Sequence, residues 1–404
     1  MLKRELYLKK IRPFYNNELV KVIVGIRRCG KSVLMQQIIE ELIVEGVSPE
    51  QIIYLNFENL EYAQINSAMA LHEFVTQQIE KGKKYYLFFD EIQVVDQWEK
   101  AINSFRVAFD CDIYITGSNS NLLSGELASL LSGRYVSFQI YPFSFVEVCA
   151  YQQKVRQEIT DNDLMNYIRW GGMPQQLQFQ NESEKRVFLH DLYNSIVLQD
   201  IIARNNLKNV GLLNRVVEYL AATPSQVFSV TSVSKYFESI NIKISTETLY
   251  NYLEYISMAL FVQRAKQYDI RGKRLLTRND KLYLTDLGFA TIMNSEMKVE
   301  LGALLENVVH NELLVRGYQV YVGKTPKGEI DFIATKDGKK EYYQVAYLLA
   351  TEEVIKREFG AFDGITDNYP KYVITMDSFD FSREGIVHKN MIDFLLEKDG
   401  RPSN

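Results

Sequence analysis

Cysteine is scarce in this sequence and follows no pattern. Three cysteines occur among 404 residues, Cys29, Cys111 and Cys149, and they are widely separated, with no C-x-x-C pair. An odd, scattered set is typical of a reducing compartment and argues against a disulfide framework or a structural zinc site. The four histidines also lack the spacing of metal ligands. They are His72, His190, His310 and His388.

Long apolar segments are also missing. No stretch is long and uncharged enough to cross a bilayer, and the first residues lack the apolar run of a signal peptide. The net charge of −5 argues against a broadly basic nucleic-acid-binding coat but is compatible with a local basic patch. We therefore expect a cytoplasmic protein that does not bind membranes. Its length predicts about two to four domains.

Residues 25–32 have the spacing G-x-x-x-x-G-K-[ST] of a phosphate-binding loop. Apolar residues predict a buried strand before the loop and an amphipathic helix after it, although a simple glycine turn is the alternative. In a phosphate loop, backbone N–H groups and the helix N-terminus would surround nucleotide phosphates, Lys31 would reach the β- and γ-phosphates, and Ser32 would ligate Mg²⁺. The predicted nucleotide-binding residues are Gly25, Ile26, Arg27, Arg28, Cys29, Gly30, Lys31, Ser32 and Val33.

A second apolar strand, residues 85–89, ends in two carboxylates. In a parallel sheet such a strand delivers its last residues to the ligand crevice. Asp90 is the expected partner of Mg²⁺, and Glu91 is placed to polarise a water molecule for attack on the γ-phosphate. A charged strand end that faces solvent is the alternative interpretation.

The next predicted strand ends in a polar segment, residues 116–120. Thr116, Ser118 and Asn119 are each candidates to hydrogen-bond the γ-phosphate or the attacking water, and Asn119 is our predicted catalytic residue. Ser118 is equally explained as a helix N-cap. Arg134, just before a further strand, is expected near the rim of the nucleotide site. It is either an arginine finger for a neighbouring chain or an ordinary surface arginine.

These motifs, in this order, resemble the AAA+ superfamily. The resemblance becomes closer with Gly-Ile-Arg-Arg-x-Gly-Lys-Ser, Asp-Glu-Ile-Gln, Thr-Gly-Ser-Asn-Ser, Ser-Gly-Arg-Tyr and Tyr-Pro-Phe-Ser-Phe. Together they are similar to prokaryotic AAA-type ATP-binding proteins whose C-terminal half is a domain of unknown function. The similarity extends through residues 171–174 and 198–201. It implies an ATPase that binds ATP and Mg²⁺, and it implies that Arg134 is the arginine finger of a homo-oligomer.

The segment 142–222 has mostly helical periodicity. The resemblance implies that it is a lid packed over the nucleotide. Arg169 and Arg204 are then candidates to sense phosphate, and surface salt bridges are the alternative for both.

Residues 223–290 follow the plan of a winged helix: helix, turn, helix and hairpin. Basic residues are densest in the hairpin loop, which suggests a contact with the phosphate backbone of DNA. Glu247 and Glu254 on the second helix favour a protein-interaction module instead. The basic residues are Arg271, Lys273, Arg274 and Arg278.

The last segment, 291–404, resembles the PD-(D/E)xK nuclease fold. Glu306 and Asp331 match its two metal-binding acids, and Gln344 is a tolerated third ligand. Ala346 stands where the resemblance requires lysine, and loss of such a charged group commonly costs about a hundredfold or more in rate. Lys339 and Lys340 come too early in the strand to replace it. We therefore expect a nuclease scaffold that has lost hydrolysis.

The sequence thus predicts an α/β protein with four parts. They are a P-loop NTPase (AAA+-like) core with a parallel sheet at 1–141, a helical lid at 142–222, a winged helix at 223–290 and a small restriction-endonuclease-like α/β domain at 291–404. The expected function is slow ATP hydrolysis that switches contact with a partner, possible partners being DNA or a protein. A metal-dependent nuclease is the third alternative.

Overall fold

The computed structural model describes residues 2–123, 131, 133–276, 280–293, 299–325 and 328–397. The chain divides into two compact units. The N-terminal unit comprises Met1–Tyr141 with Met258–Leu260, and the C-terminal unit comprises Pro142–Ser257 with Phe261–Asn404. Arg278 lies outside the described residues.

A parallel sheet of five strands forms the core of the N-terminal unit. Its order is β2–β3–β4–β1–β5, and every neighbouring pair is parallel. The strands are β1 (Val20–Val24), β2 (Ile52–Asn56), β3 (Tyr85–Asp90), β4 (Cys111–Gly117) and β5 (Tyr135–Gln139). The helices are α1 (Glu5–Ile11), α2 (Lys31–Val44), α3 (Ala68–Thr76) and α4 (Trp98–Ala108). This sheet confirms the predicted α/β core.

The register of the sheet brings the strand ends together. Val24 of β1 lies opposite Gly117 of β4, and Phe89 of β3 lies opposite Ile115 of β4. Since the strands are parallel, the residues that follow β1, β3 and β4 meet at the carboxyl edge, where ligands bind in open α/β sheets.

A buried ion pair fixes the opposite, amino edge. The Lys21 ammonium contacts the Asp112 carboxylate and donates to the Asn17 carbonyl at 2.9 Å. The Tyr114 hydroxyl donates to Asp112 Oδ2 at 2.9 Å. Both charged side chains are buried, so each depends on the other for compensation, and β1 is held against β4 at their starts.

Helices make up the first part of the C-terminal unit, as the periodicity predicts. These are α5 (Phe145–Tyr151), α6 (Asp161–Trp170), α7 (Glu182–Ser195), a π-helical segment at Ile196–Ala203, and α8 (Val210–Ala222). Two further helices, α9 (Val230–Ser239) and α10 (Thr246–Met258), are followed by the strands β7 (Val262–Ala265) and β10 (Lys281–Leu284), which pair antiparallel. The short strand β6 (Gln226–Val227) pairs with β10 and completes a three-stranded sheet.

A seven-stranded mixed sheet forms the second part of this unit. Its order is β15–β14–β13–β12–β11–β8–β9. Its strands are β8 (Gln267–Asp269), β9 (Arg274–Leu275), β11 (Gln319–Thr325), β12 (Gly328–Lys336), β13 (Lys339–Val345), β14 (Lys371–Thr375) and β15 (Ile386–Asn390). The remaining helices are α11 (Gly288–Met293), α12 (Leu301–Val315), α13 (Glu352–Gly360) and α14 (Met391–Leu396).

The predicted hairpin loop is therefore built into the larger sheet. β8 pairs parallel with β11, with Gln267 opposite Val322, and β9 pairs with β8. Residues 267–275 thus complete a sheet whose other strands lie beyond residue 318. The four domain boundaries stay predictions, and the structure adds that the third and fourth predicted domains share this sheet.

A buried carboxylate connects the helical part to the strand β10. Asp286 accepts hydrogen bonds from the backbone N–H groups of Gly172 at 2.8 Å and Gly288 at 2.9 Å. A Cβ atom on Gly171 would lie 1.7 Å from Asp286 Oδ1, and one on Gly172 would lie 2.0 Å from the Phe143 carbonyl oxygen. The Gly171-Gly172 pair is thus required for this close approach. Burial raises the pKa of Asp286 to about 6, although the backbone donors oppose the shift.

The raised pKa makes a prediction about stability and pH. Asp286 binds a proton more readily in the folded chain (pKa about 6) than in the unfolded chain (about 4), so its contribution to stability is present below pH 4 and is lost as pH rises to 6. Asp286→Asn cannot ionise. The free energy of unfolding of the wild type relative to this variant should fall by about 2 kcal/mol between pH 4 and 7, as measured by denaturant unfolding. A difference that stays constant over this range would contradict the prediction.

Candidate functional site

The loop between β1 and α2 has the backbone geometry of a tight phosphate loop. Arg28 and Gly30 have positive φ angles of 62° and 105°. A Cβ atom on Gly25 would lie 2.4 Å from the Ile140 carbonyl oxygen and 2.6 Å from Cys29 Sγ, so only glycine fits there. The strand, the glycine-rich turn and the helix occur where the motif requires them. Ser32 and Val33 lie in the first turn of α2, with Ser32 exposed.

Lys31 is held by two groups at the carboxyl edge. Its ammonium donates to the Gly25 carbonyl oxygen at 3.0 Å and lies 3.2 Å from Glu91 Oε1. Burial disfavours the charged form of Lys31, but Glu91 outweighs it and raises the pKa of this lysine. For Glu91, burial is likewise opposed by Lys31, by a hydrogen bond from Gln93 and by Arg27, which together lower the pKa of the carboxyl group. Both partners are therefore ionised.

Asp90 is fixed from both neighbouring strands. The Thr116 hydroxyl donates to Asp90 Oδ1, and the Tyr54 hydroxyl donates to Asp90 Oδ2 at 2.9 Å. Thr116 also accepts a hydrogen bond from the Glu91 N–H at 2.9 Å. One threonine thereby positions both acids, a role more specific than the phosphate contact that we considered for it. Glu91 has a positive φ of 56°, which turns the chain sharply at the end of β3.

The other predicted residues lie in different places. Ser118 and Asn119 directly follow β4 and are buried. Arg134 is exposed and directly precedes β5, and its carbonyl accepts from the Val20 N–H at 3.1 Å. It therefore lies at the amino edge, roughly 13 Å of strand away from the phosphate loop. Within one chain, Arg134 therefore does not join Lys31 and Glu91, and its expected action on a neighbouring chain stays a prediction.

Arg4 is a buried part of this site that no motif indicates. Its guanidinium donates from Nη1 to the Cys29 carbonyl in the phosphate loop and from Nη2 to the Tyr141 carbonyl, both at 3.1 Å. Its backbone N–H donates to Gln37 Oε1 on α2 at 2.9 Å. Arg4 lies just before α1, far from the phosphate loop in sequence. Its hydrogen bond to the loop is therefore apparent only from the structure.

The arginines predicted to sense phosphate have acidic partners. Arg169 forms an ion pair with Glu182 at 2.7 Å, with both side chains exposed. Arg204 lies 3.3 Å from Asp200, one helical turn earlier. These contacts agree with the alternative of salt bridges for both arginines.

The residues predicted to bind DNA are exposed where they are described. Arg271, Lys273 and Arg274 follow β8, and Arg274 Nε lies 3.8 Å from Asp269 Oδ2. Arg271 also lines a surface cavity of about 490 Å³ together with Lys324.

The acids of the last predicted domain are brought together. The backbone N–H of Asp331 donates to Gln344 Oε1 at 3.2 Å, and Lys281 lies 2.8 Å from Glu306 and 3.8 Å from Asp331. Ala346 is buried. Lys340 instead faces the rings of Tyr268, Tyr342 and Tyr369. Across the described ranges, His, Cys, Asp and Glu side chains form no group of three arranged to hold a metal ion.

The fold and the site together define the class of the protein. A phosphate loop follows β1, and two acids follow β3, which is separated from β1 by β4 alone. That arrangement is a P-loop NTPase core of the AAA+ class. In the portion of the chain that the structure describes, no helix has the length and apolar character needed to cross a membrane.

Comparison with known proteins gives the family. Residues 17–149 match an AAA domain, and residues 161–299 match a domain of unknown function, DUF8612. The chain is 38% identical over 400 residues to an uncharacterized protein of Haemophilus influenzae, covering 98% of this chain and 99% of that protein. It is 31% identical over 357 residues to an uncharacterized protein of Methanocaldococcus jannaschii, covering 85% of this chain and 78% of that protein. The chain belongs to the family of these AAA-domain proteins.

A solved structure shows a weaker likeness. Cdc6p from Pyrobaculum aerophilum is 10% identical, with a TM-score of 0.31, covering 74% of this chain and 96% of that chain. The strand order and the matching AAA domain, rather than this likeness, define the fold class.

Arg4 leads to a prediction about the phosphate loop. Arg4→Met keeps most of the side-chain volume but leaves the Cys29 carbonyl without its guanidinium donor, and an unsatisfied buried polar group costs about 1–3 kcal/mol. We expect the affinity for a fluorescent ATP analogue to fall about tenfold, because the loop amides lose their fixed orientation. Lys9→Met, an exposed substitution on α1, is the matched control. Equal affinity for the analogue in both variants would show that Arg4 does not support nucleotide binding.

Proposed function

We propose that this protein is an ATPase that binds ATP with Mg²⁺ in its N-terminal unit and uses the bound nucleotide to control how its C-terminal unit meets a partner. The observation that carries the proposal is the Lys31–Glu91 ion pair beside Asp90 at the carboxyl edge. A phosphate-binding cation and two carboxylates, one of them fixed by Thr116 and Tyr54, are the groups that nucleotide hydrolysis requires.

The residues at this edge fit a nucleotide and a divalent cation. Gly25 approaches the Ile140 carbonyl so closely that a side chain would fill the turn, which supports a role of the loop amides in holding phosphate. Lys31 would add its charge, and Ser32 with Asp90 would hold Mg²⁺, which neutralises phosphate charge when bound. The full set of residues that would hold the nucleotide is Gly25, Ile26, Arg27, Arg28, Cys29, Gly30, Lys31, Ser32 and Val33.

Glu91 is the proposed general base. Its carboxylate is ionised and turned out of β3 by the positive φ angle, so it can accept a proton from a water molecule. Lys31 engages the same carboxylate at 3.2 Å. Phosphate would compete for the lysine and release Glu91, so that the base becomes available when nucleotide is bound. Asn119, at the end of β4, would orient the water.

Arg134 fits this scheme only as a residue supplied to another copy of the chain. It is exposed at the amino edge, away from the phosphate loop of its own chain. An exposed arginine there can reach the γ-phosphate of a neighbour in a homo-oligomer, as an arginine finger does.

Substitutions at these positions should separate binding from turnover. Lys31→Ala should abolish nucleotide binding, whereas Glu91→Gln should keep binding and reduce ATP turnover by about a hundredfold or more, because it removes the base but not the phosphate contacts. Arg134→Ala should lower turnover, and mixing it with the Lys31→Ala variant should restore activity, since each chain supplies what the other lacks. Full ATPase activity in Lys31→Ala would refute the site. Failure of the mixture to recover would refute only the action of Arg134 on a neighbour.

DNA is the partner that the exposed basic segment supports. The elements β6, α9, α10, β7 and β10 occur in the order of a winged helix, and Arg271, Lys273 and Arg274 are exposed beside it. Against this, Glu254 and its ion-pair partner Arg264 lie on the second helix and the adjoining strand. That observation favours the second candidate, a module that binds a protein under nucleotide control.

The salt dependence of binding decides between these two partners. Replacing Arg271, Lys273 and Arg274 together by Gln should weaken duplex DNA binding and lower its logarithmic salt slope by about 2–3, because fewer counterions are released. The matched control replaces three exposed lysines of the N-terminal unit, Lys9, Lys81 and Lys83, and should leave the slope unchanged. If the wild-type chain shows no salt-dependent duplex binding, with or without ATP, the DNA proposal falls and the protein-partner candidate is favoured.

A further inference from the structure

A buried lysine lies among three carboxylates in the C-terminal unit. The Lys281 ammonium is 2.8 Å from Glu306 Oε1, 2.8 Å from Glu329 Oε1 and 3.8 Å from Asp331 Oδ1. Only 8% of the Lys281 side chain is exposed. The acids come from α12 and β12, whereas the lysine comes from β10, so the cluster joins an element of the three-stranded sheet to the seven-stranded sheet and its helix.

The carboxylates have further partners that fix their orientation. The Tyr283 hydroxyl donates to Glu306 Oε1 at 2.7 Å, and the Val345 N–H donates to Asp331 Oδ2 at 2.8 Å. The ring of Tyr283 stacks on His310 with a centroid separation of 3.9 Å. Burial lowers the pKa of His310 to about 3, so this histidine brings no positive charge to the acids. Among the residues that the structure describes, Lys281 forms ion pairs with all three acids.

We propose that Lys281 is the resident cation of this acidic cluster, and that its ammonium takes the place in which the nuclease resemblance expects a divalent metal ion. Glu306 and Asp331 are the two residues that match metal-binding acids in that resemblance, and both are within 4 Å of the lysine. The C-terminal unit thus holds its carboxylates together without a metal. The same ammonium makes the acids unavailable as metal ligands.

The charges in the cluster agree with this assignment. Burial disfavours the ammonium, but the three carboxylates outweigh it and raise the pKa of Lys281, which therefore stays protonated. An ammonium within 4 Å of three acids already supplies the positive charge that a divalent ion would bring to this buried site.

The geometry also explains how the missing lysine at position 346 relates to the cluster. Ala346, directly after β13, provides no ammonium at the position that the resemblance assigns to lysine, whereas Lys281 on β10 places one among the acids. This ammonium contacts the carboxylates directly, whereas a lysine that assists hydrolysis must share the site with a metal ion bound by the same acids. Lys281 therefore replaces the metal rather than the lost lysine.

Manganese binding tests the assignment, with Mn²⁺ measured by electron paramagnetic resonance on the full, nucleotide-free chain. We expect the wild type to bind no Mn²⁺ at the cluster. Lys281→Met removes the charge at similar length and should gain saturable Mn²⁺ binding, which should be lost again in Lys281→Met/Asp331→Asn. Lys339→Met, an exposed substitution at the start of β13, is the matched control and should behave as the wild type.

Each outcome of this experiment decides the question. Wild-type Mn²⁺ binding that is lost in Asp331→Asn would overturn the proposal, because the metal would then coexist with Lys281. A folded Lys281→Met variant that binds no Mn²⁺ would also overturn it. If Lys281→Met folds only with added Mn²⁺, judged by circular dichroism and a raised melting temperature, the metal has substituted for the ammonium and the proposal is supported. If it stays unfolded with Mn²⁺ while Lys281→Arg folds, the cluster needs a tethered cation and the equivalence with a metal is refuted.

Discussion

The ion pair of Lys31 with Glu91 is the interaction on which the N-terminal unit depends for its chemistry. It exists because the parallel order places the ends of β1 and β3 on either side of β4, and because Thr116 at the end of β4 holds the turn that carries Glu91. The two charges compensate each other at a buried position. The pair keeps both residues ionised and in place.

The C-terminal unit also contains a buried lysine that is compensated by acids, but with a different number of partners. At the carboxyl edge of the N-terminal sheet one cation, Lys31, faces one carboxylate, Glu91, and the proposed function lets phosphate compete for this pairing. In the cluster around Lys281, one cation faces three acids, of which Tyr283 also holds Glu306 and the backbone of Val345 also holds Asp331. Because Lys281 has more acidic partners than Lys31, replacing them with another ligand would gain less free energy. The Lys31 site therefore suits ligand binding, and the Lys281 cluster suits a permanent connection between two sheets.

Local patterns allowed much of the fold and of the candidate site to be predicted. The glycine spacing of residues 25–32, the apolar strands β1 and β3 and the helical periodicity up to residue 222 are all features of adjacent residues. Contacts between distant residues were not predictable in this way. Arg4 reaches carbonyls 25 and 137 positions away, and Lys281 meets acids from two other elements. For Arg134, sequence order gives the strand that it precedes but not the edge of the sheet at which that strand begins.

The short strand β8 has a consequence for how the chain can be divided. β11 pairs with β12 on one side and with β8 on the other. Without β8, β11 would be an edge strand of this sheet. A fragment that begins after residue 290 would lack β8 and would present a row of open N–H and C=O groups, the kind of edge through which separate chains aggregate. During synthesis, residues 267–275 leave the ribosome before β11, so the strand that pairs with this edge of β11 is already available when β11 emerges.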